Sequence, residues 1–573
     1  MVSLHTLDAM THSIETLDYL VIVFYLLLTV VVGLYFVRFN KAGSDFFKGG
    51  NKIPWLVAGI SAFMSGFSAW TFTGASGVAY NDGIIAIGLY VGNAASFILG
   101  YYLFAARWRR TRVSTTMEYL VERYDGVSRQ TFSWATVFFE LFTTAAALYG
   151  MAIFVSSITD LPLTTTIIVS SAIILAYCLL GGLWAVVVTD FLQGIILIPF
   201  TLLLAGAALV QIGGIGALIE GLPNELLTLS GHTERSSIPY LLSWTIMVSF
   251  GYNTRAHAQR YFSVPDESSA RKIAVLNFVL FFIGAFIWFI PALAMRVMYP
   301  DIASIVDLPN PEEGAYALAS LVLLPSGLIG IMLAAIFSAS MSSISTFYNM
   351  HSAIISKDII PSIFKREFSE RAYLWIGRLS TLGIGSAVTA IAVIMAQMGT
   401  SVFEAMLRFN TIISLAYGIP ALLGLVVKNT PHWSGLVTFI FASVMGILGW
   451  MIFEWGLVIN VAATVSGSVA VFWLSGLMAK EKGPYRERRE RFFKKLDTPI
   501  DVAAEVGEVN LSGSIVFIFL AKVSALIATL SLAFLITAEA GEHLLILINS
   551  TMTYALALLF YFLGKGLLKR SKA

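Results

Sequence analysis

The stretch 61–77, SAFMSGFSAWTFTGASG, starts as an apolar run, but Gly, Ser and Thr crowd its centre from Ser65 to Gly77. An unwound turn in hydrocarbon is tolerated only where its freed carbonyls line a cavity or bind something. A second interrupted run, SFGYNTR, occupies 249–255. The first lies in the second apolar span of the chain and the other in the seventh. Five is an odd number, so a duplicated five-helix unit would insert upside down relative to its first copy. Broken helices at matching positions of inverted repeats point to a midplane site for solute and ion. Close helix packing through small residues is the other explanation of such a composition.

Composition places these runs in a membrane. Of 573 residues, 57% are hydrophobic and 12% charged, and mean hydropathy is +0.81. That leaves too few polar groups to cover a soluble surface. The apolar runs last about 20 residues without alternating, which excludes a β-barrel. Hydropathy gives fifteen spans: 17–38, 52–73, 84–106, 132–156, 162–181, 186–212, 238–259, 272–297, 315–356, 373–398, 403–427, 434–453, 457–479, 513–537 and 544–567. With the N-terminus outside, cytoplasmic segments hold 31 of the 36 Lys and Arg, and the outer loops hold only Arg235 and Arg296. The positive-inside rule therefore sets the N-terminus outside and the C-terminus in the cytoplasm of a multi-pass plasma-membrane protein. The first span is read as retained, because the polar residues before it carry no Lys or Arg.

Other function classes are excluded on charge and residue type. Net charge is +2, so bulk charge implies no nucleic-acid partner. One cysteine, Cys178, and seven scattered histidines offer neither a disulfide framework nor a metal cluster. No nucleophile–base pair or phosphate loop suggests an enzyme.

Several residues stand out inside the spans. In AAIFSASMSSISTFYN at 334–349, Ala339, Ser342 and Ser343 share one helical face, and Ser342, Ser345 and Thr346 repeat the spacing. Hydroxyl and carbonyl oxygens are hard neutral ligands that alkali cations accept; serines bonding their own helix carbonyls would give the same pattern. Asp190, Glu140 and Arg408 are intramembrane charges and hence functional candidates. Arg255 and Lys522 lie near enough to span ends to snorkel. Arg408 is placed to reach outer solvent, to pair with Glu404 or to touch a solute. The acidic outer loop 299–314 reads as a solvated loop. Segment 485–497, YRERRERFFKKLD, reads as a helix lying on the anionic inner leaflet.

These features resemble the sodium:solute symporter family. The stretch YCLLGGLWAVVVTDFLQG at 177–194 is similar to its signature, supported by DFFKGGNKIPWLVAGIS at 45–61, SMSSIS at 340–345 and AQRYFS at 258–263. The resemblance covers roughly residues 18–480. It implies a LeuT-like fold, an all-α polytopic membrane protein with ten core helices in two inverted five-helix repeats plus peripheral helices. The expected organisation is 1–51 as extracellular N-terminus and peripheral first helix, 52–212 as first repeat and 238–427 as inverted second repeat. Two peripheral helices at 434–479, a basic cytoplasmic linker at 480–512 and two C-terminal helices with a tail at 513–573 complete it.

The resemblance also implies site residues. A sodium site would take carbonyls of Met64, Phe67 and Ala339 and hydroxyls of Ser342 and Ser343. A second sodium, as in relatives similar to the sialic acid transporters, would use Asp190, Ser345 and Thr346, with Ser342 shared. Solute positions map to Thr71, Tyr90, Asn93, Phe250, Asn253 and Arg408. Most sugar-binding groups are replaced, for instance by Phe281 and Leu407. The expected function is sodium-coupled symport importing a small polar organic solute by alternating access, with one sodium ion and room for a second. A proton-coupled transporter using Asp190 or Glu140, or a transporter-like membrane sensor, are the alternatives.

Overall fold

The computed structural model describes residues 14–37, 51–113, 115–159, 161–178, 183–230, 233–478, 482–507, 510–536, 538 and 541–572. Residues 1–13, the family stretches at 45–50 and 179–182, and parts of the 480–512 linker lie outside the described residues.

Every regular element among the described residues is helical. The principal helices are α1 (Thr16–Val37), α2 (Trp55–Ser65), α3 (Gly74–Asp82), α4 (Ile85–Leu99), α5 (Gly126–Thr159), α6 (Leu163–Cys178), α7 (Leu183–Ile212), α8 (Ile238–Tyr252), α9 (Arg255–Ser263) and α10 (Glu267–Trp288). They are followed by α11 (Leu328–Ile354), α12 (Glu370–Gln397), α13 (Val402–Val426), α14 (Ser434–Met451), α15 (Leu457–Met478), α16 (Pro484–Asp497), α17 (Asn510–Ala533) and α18 (His543–Lys572). Among the described residues, eleven helices are long and apolar enough to cross a membrane, and twelve if the bent pair α2–α3 is one span. The expected fifteen are not reached by this measure. Thr16–Val32 and Leu163–Ala176 are shorter apolar helices, and the seventh span is divided into α8 and α9.

Helix α11 forms the axis of the fold. Its most apolar 18-residue window is wholly buried, sheathed by α1, α5, α7 and α12. A helix buried all round suits the core of a large bundle. Its Ser-rich face meets the break between α2 and α3. Helix α4 packs against both α8 and α10, α10 packs against α2, and α13 bridges α5 and α8.

Two peripheral readings change. Segment 485–497 is helical, but Phe492 and Phe493 are buried against the protein; Phe492 packs on Tyr119, and Arg123 lies 5.4 Å from the Phe493 ring. Aromatic burial against a neighbouring helix thus replaces the expected contact with lipid. In the outer loop, Asp301 and Asp307 are solvated as expected, but Glu313 is 2% exposed. Its Oε1 accepts from the Ser401 hydroxyl (2.8 Å) and from the N–H groups of Val402 (2.8 Å) and Phe403 (3.3 Å), capping α13. Burial pushes its carboxyl up to about 7 despite these donors.

Candidate functional site

The second span breaks after Ser65, and its two halves diverge by 57°. Ser68 caps the 3₁₀ turn Ala69–Thr71 by accepting from the Trp70 N–H, and the Ala69 N–H donates to the Ser340 hydroxyl at 2.9 Å. The seventh span breaks at Asn253–Thr254. Asn253 Nδ2 donates to the carbonyls of Ser96 and Ser249, and Trp108 Nε1 donates to the Asn253 carbonyl. Both breaks are therefore satisfied by side chains of neighbouring helices, as an unwound turn away from water requires. They also touch one another: a Cβ at Gly66 would stand 2.8 Å from the Tyr252 ring and 3.1 Å from His257 Cε1. Only glycine lets the two broken helices approach so closely.

On the far side of that break lies α11. The Ser343 hydroxyl is 3.0 Å from the Phe67 carbonyl, 3.3 Å from that of Met64 and 3.4 Å from that of Ala339. Three carbonyls and one hydroxyl thus converge from two helices. All four residues are buried. The Ser342 hydroxyl turns instead toward Asp190 and donates to its Oδ1.

Asp190 is the centre of a second cluster. Its Oδ2 accepts from the Ser61 hydroxyl (2.6 Å) and from Arg260 Nη2 (3.3 Å), and Arg260 Nε donates to Ser61 Oγ (3.1 Å). Arg260 and Asp190 are 0% and 1% exposed, a fully buried ion pair. Ser345 donates to the Ser342 carbonyl, and Thr346 Oγ1 is buried without a partner. Of the hydroxyls expected to hold a second cation, that of Ser342 meets Asp190, whose carboxylate is already paired with a guanidinium.

The expected solute residues are distributed differently. Tyr90 donates to Thr71 Oγ1 (2.7 Å), and Asn93 Oδ1 accepts from Trp244 Nε1 (2.8 Å). Phe250 backs onto Gly418, where a Cβ would meet it at 2.7 Å. The central cavity is lined instead by their neighbours, including Trp70, Trp244, Tyr252, Arg255, His257, Ser343, Leu407 and Asn410. Arg408, with its side chain 55% exposed and 3.8 Å from Glu404, lines a separate vestibule with Asp82, Glu234, Arg235 and Glu454.

Between the two spaces stands a layer of aromatic rings. Trp70, Trp244 and Phe403 lie with centroids 5.8–6.1 Å apart and planes within 20° of parallel. Arg235 lies 4.7 Å from the centre of the Phe403 ring and pairs with Asp82 (2.9 Å) and Glu404 (2.7 Å). Burial opposes its charge, but Glu404 and Asp82 outweigh that and raise the guanidinium above its ordinary range.

A third buried charge cluster was not legible in the chain. Arg255, read from sequence as snorkelling, has a side chain only 12% exposed; its Nη1 is 2.8 Å from Glu140 Oε1 and its Nη2 donates to Ser414 Oγ at 3.1 Å. His351 Nε2 is 2.8 Å from the other Glu140 oxygen. Arg260, in AQRYFS, lies one residue beyond the seventh apolar span, so hydropathy does not mark it as an intramembrane charge.

Two broken helices that meet at a cavity, beside a hydroxyl-rich buried helix, define a secondary transporter of the alternating-access class. The sequence pattern of the sodium:solute symporter family matches residues 46–442, and the chain belongs to that family. Similar proteins include the sodium/sialic acid symporter SiaT of Proteus mirabilis, 25% identical over 485 residues, covering 80% of this chain and 95% of that one. The sodium/sialic acid symporter NanT of Aliivibrio fischeri is 26% identical, covering 76% and 88%. Sodium/myo-inositol cotransporter 2 of Rattus norvegicus is 26% identical, covering 74% and 69%. Among solved structures, a substrate-bound outward-open sodium-coupled sialic acid symporter superposes with a TM-score of 0.71 at 23% identity, covering 82% of this chain and 99% of that one. The fold is LeuT-like, and the protein is a multi-pass sodium-coupled symporter of a family of transporters, not enzymes.

Proposed function

We propose that this protein imports a small polar organic solute, with sodium bound by the carbonyls of Met64, Phe67 and Ala339 and the hydroxyls of Ser342 and Ser343. The convergence of three carbonyls on the Ser343 hydroxyl carries this reading. Sodium there replaces the Ser343 hydrogen bonds and draws in the Ser342 hydroxyl from Asp190. The ion braces the unwound turn at Gly66 against α11 and so biases the equilibrium toward the state that completes the solute cavity. Coupling is reciprocal: solute must tighten sodium binding as much as sodium tightens solute binding.

The halves 52–212 and 238–427 act as the two repeats that rock about this point. The N-terminus lies outside, the C-terminus in the cytoplasm, and the vestibule faces outward. Four carboxylates against two guanidiniums in that vestibule favour the approach of a cation. The layer of Trp70, Trp244 and Phe403, fastened by Arg235, is the outer gate. Thr71, Tyr90 and Asn93 support that gate from behind, Phe250 and Asn253 fix the second break, and Arg408 meets solute on entry.

One charge crossing 100 mV yields about 2.3 kcal/mol. A tenfold sodium gradient adds about 1.4 kcal/mol, so one sodium supports an accumulation of roughly 500-fold. A second sodium at Asp190, Ser342, Ser345 and Thr346 requires Arg260 to withdraw. A proton-driven cycle has less support, because both intramembrane carboxylates are held by arginines. Uptake into proteoliposomes along imposed sodium or pH gradients tests the choice: flux that follows a pH step without sodium contradicts this proposal.

A further inference from the structure

The geometry points to Arg255 as the residue that selects a small monocarboxylate in the central cavity. This rests on the sodium-coupled reading and names its cargo. Among the described residues lining the cavity, Arg255 alone carries a fixed charge. It opens α9 at the second helix break, with φ of 50°, a left-handed conformation that costs a non-glycine residue strain. Two of the five N–H donors of a guanidinium have protein partners here, Glu140 and Ser414.

Glu140 does not cancel that charge outright. It is 0% exposed, does not line the cavity, and its second oxygen lies 2.8 Å from His351 Nε2. Its carboxylate sits behind the cavity wall, while Arg255 borders the cavity. Sodium held at Ser343, which lines the same cavity, would set a second positive charge nearby. Two cationic groups bordering a space with apolar walls of Met247, Val248, Phe347 and Met406 suit an anionic head on a short apolar body. A planar guanidinium matches a carboxylate through paired hydrogen bonds. His257 Nε2, buried and without a partner, and Asn410 border the same space and can bind a further polar substituent.

The test uses the full chain, purified and reconstituted, with acetate, propionate, L-lactate and pyruvate as probes beside their primary amides. Sodium-dependent change in tryptophan fluorescence reports binding, and radiolabelled uptake reports transport. At least one acid is expected to bind tenfold or more tightly than its amide. The charge-neutral double variant Arg255→Gln, Glu140→Gln avoids an unpaired buried carboxylate and is expected to lose that preference while keeping the sodium-only fluorescence change; Arg255→Lys is expected to weaken it partially. Amides binding as well as acids, no acid binding, or an unchanged preference in the double variant would each overturn the assignment. Absence of any sodium-only response in the parent protein would instead count against the sodium site, and the acid-over-amide comparison could still be read.

Discussion

Gly66 and Tyr252 meet where the two helix breaks cross: the Tyr252 hydroxyl is 3.4 Å from the Gly66 carbonyl, and its ring leaves no room for a Cβ. Gly66→Ala should therefore force the breaks apart. Overpacking of this kind costs about 1–3 kcal/mol. The expected outcome is a lowered melting temperature together with weakened sodium affinity, because Met64 and Phe67 flank the displaced turn. A lowered melting temperature with unchanged sodium affinity would separate the hinge from the ion site.

The outer latch gives a second expectation. Arg235 ties Asp82 and Glu404 together across the face of Phe403. Arg235→Gln should release the aromatic layer and shift the protein toward an outward-open form. Labelling of a cysteine introduced at Leu407, which borders both spaces, should rise from the outside several-fold. Unchanged labelling would mean that the rings hold without the arginine.

The buried Asp190–Arg260 pair makes a prediction about ion number. Removing one partner of a buried ion pair typically costs about 3–5 kcal/mol, whereas replacing both with neutral groups costs far less. Arg260→Gln alone should destabilise the protein strongly, and adding Asp190→Asn should restore most of the loss. If Asp190 holds a second sodium, the double variant will show a Hill coefficient for sodium reduced toward one. The same coefficient as in the parent protein, at a value above one, would place the second ion elsewhere.

Glu313 gives a pH dependence with a definite sign. Its carboxyl is raised from 4.5 to about 7 in the folded state, mainly by burial. The folded state thus binds more protons than the unfolded state between those values, so its contribution to stability is present below pH 4.5 and is lost as pH rises to about 7. The shift corresponds to about 3 kcal/mol. Melting temperature should fall between pH 5 and 7.5, and Glu313→Gln should flatten that part of the profile. An equal slope in the variant would assign the dependence to another group.

Much of this was legible in the chain, and the boundary of legibility has a physical cause. Gly, Ser and Thr at 65–77 and the SFGYNTR run marked breaks because backbone disruption has a local signature. The Ser face of α11 followed from helical spacing, and Asp190 stood out as an isolated charge in an apolar run. Pairings between distant residues were not legible. Nothing local says that Glu140 meets Arg255, or that Arg260 faces Asp190, because hydropathy reports burial and not the neighbour. Which of Arg408 and Arg255 borders the central cavity was not legible for the same reason: each lies near a span end, and only packing determines which turns toward it. Phe492 and Phe493 read as a lipid-facing pair because an apolar helix face looks the same whether protein or membrane covers it.

The most direct test measures sodium binding to the purified protein carrying Ser342→Ala and Ser343→Ala, with sodium-driven uptake measured in parallel. Removing both hydroxyls leaves three carbonyls and should weaken sodium affinity at least tenfold and abolish gradient-driven uptake. Sodium affinity and uptake equal to those of the parent protein would contradict an ion held between the Gly66 break and α11.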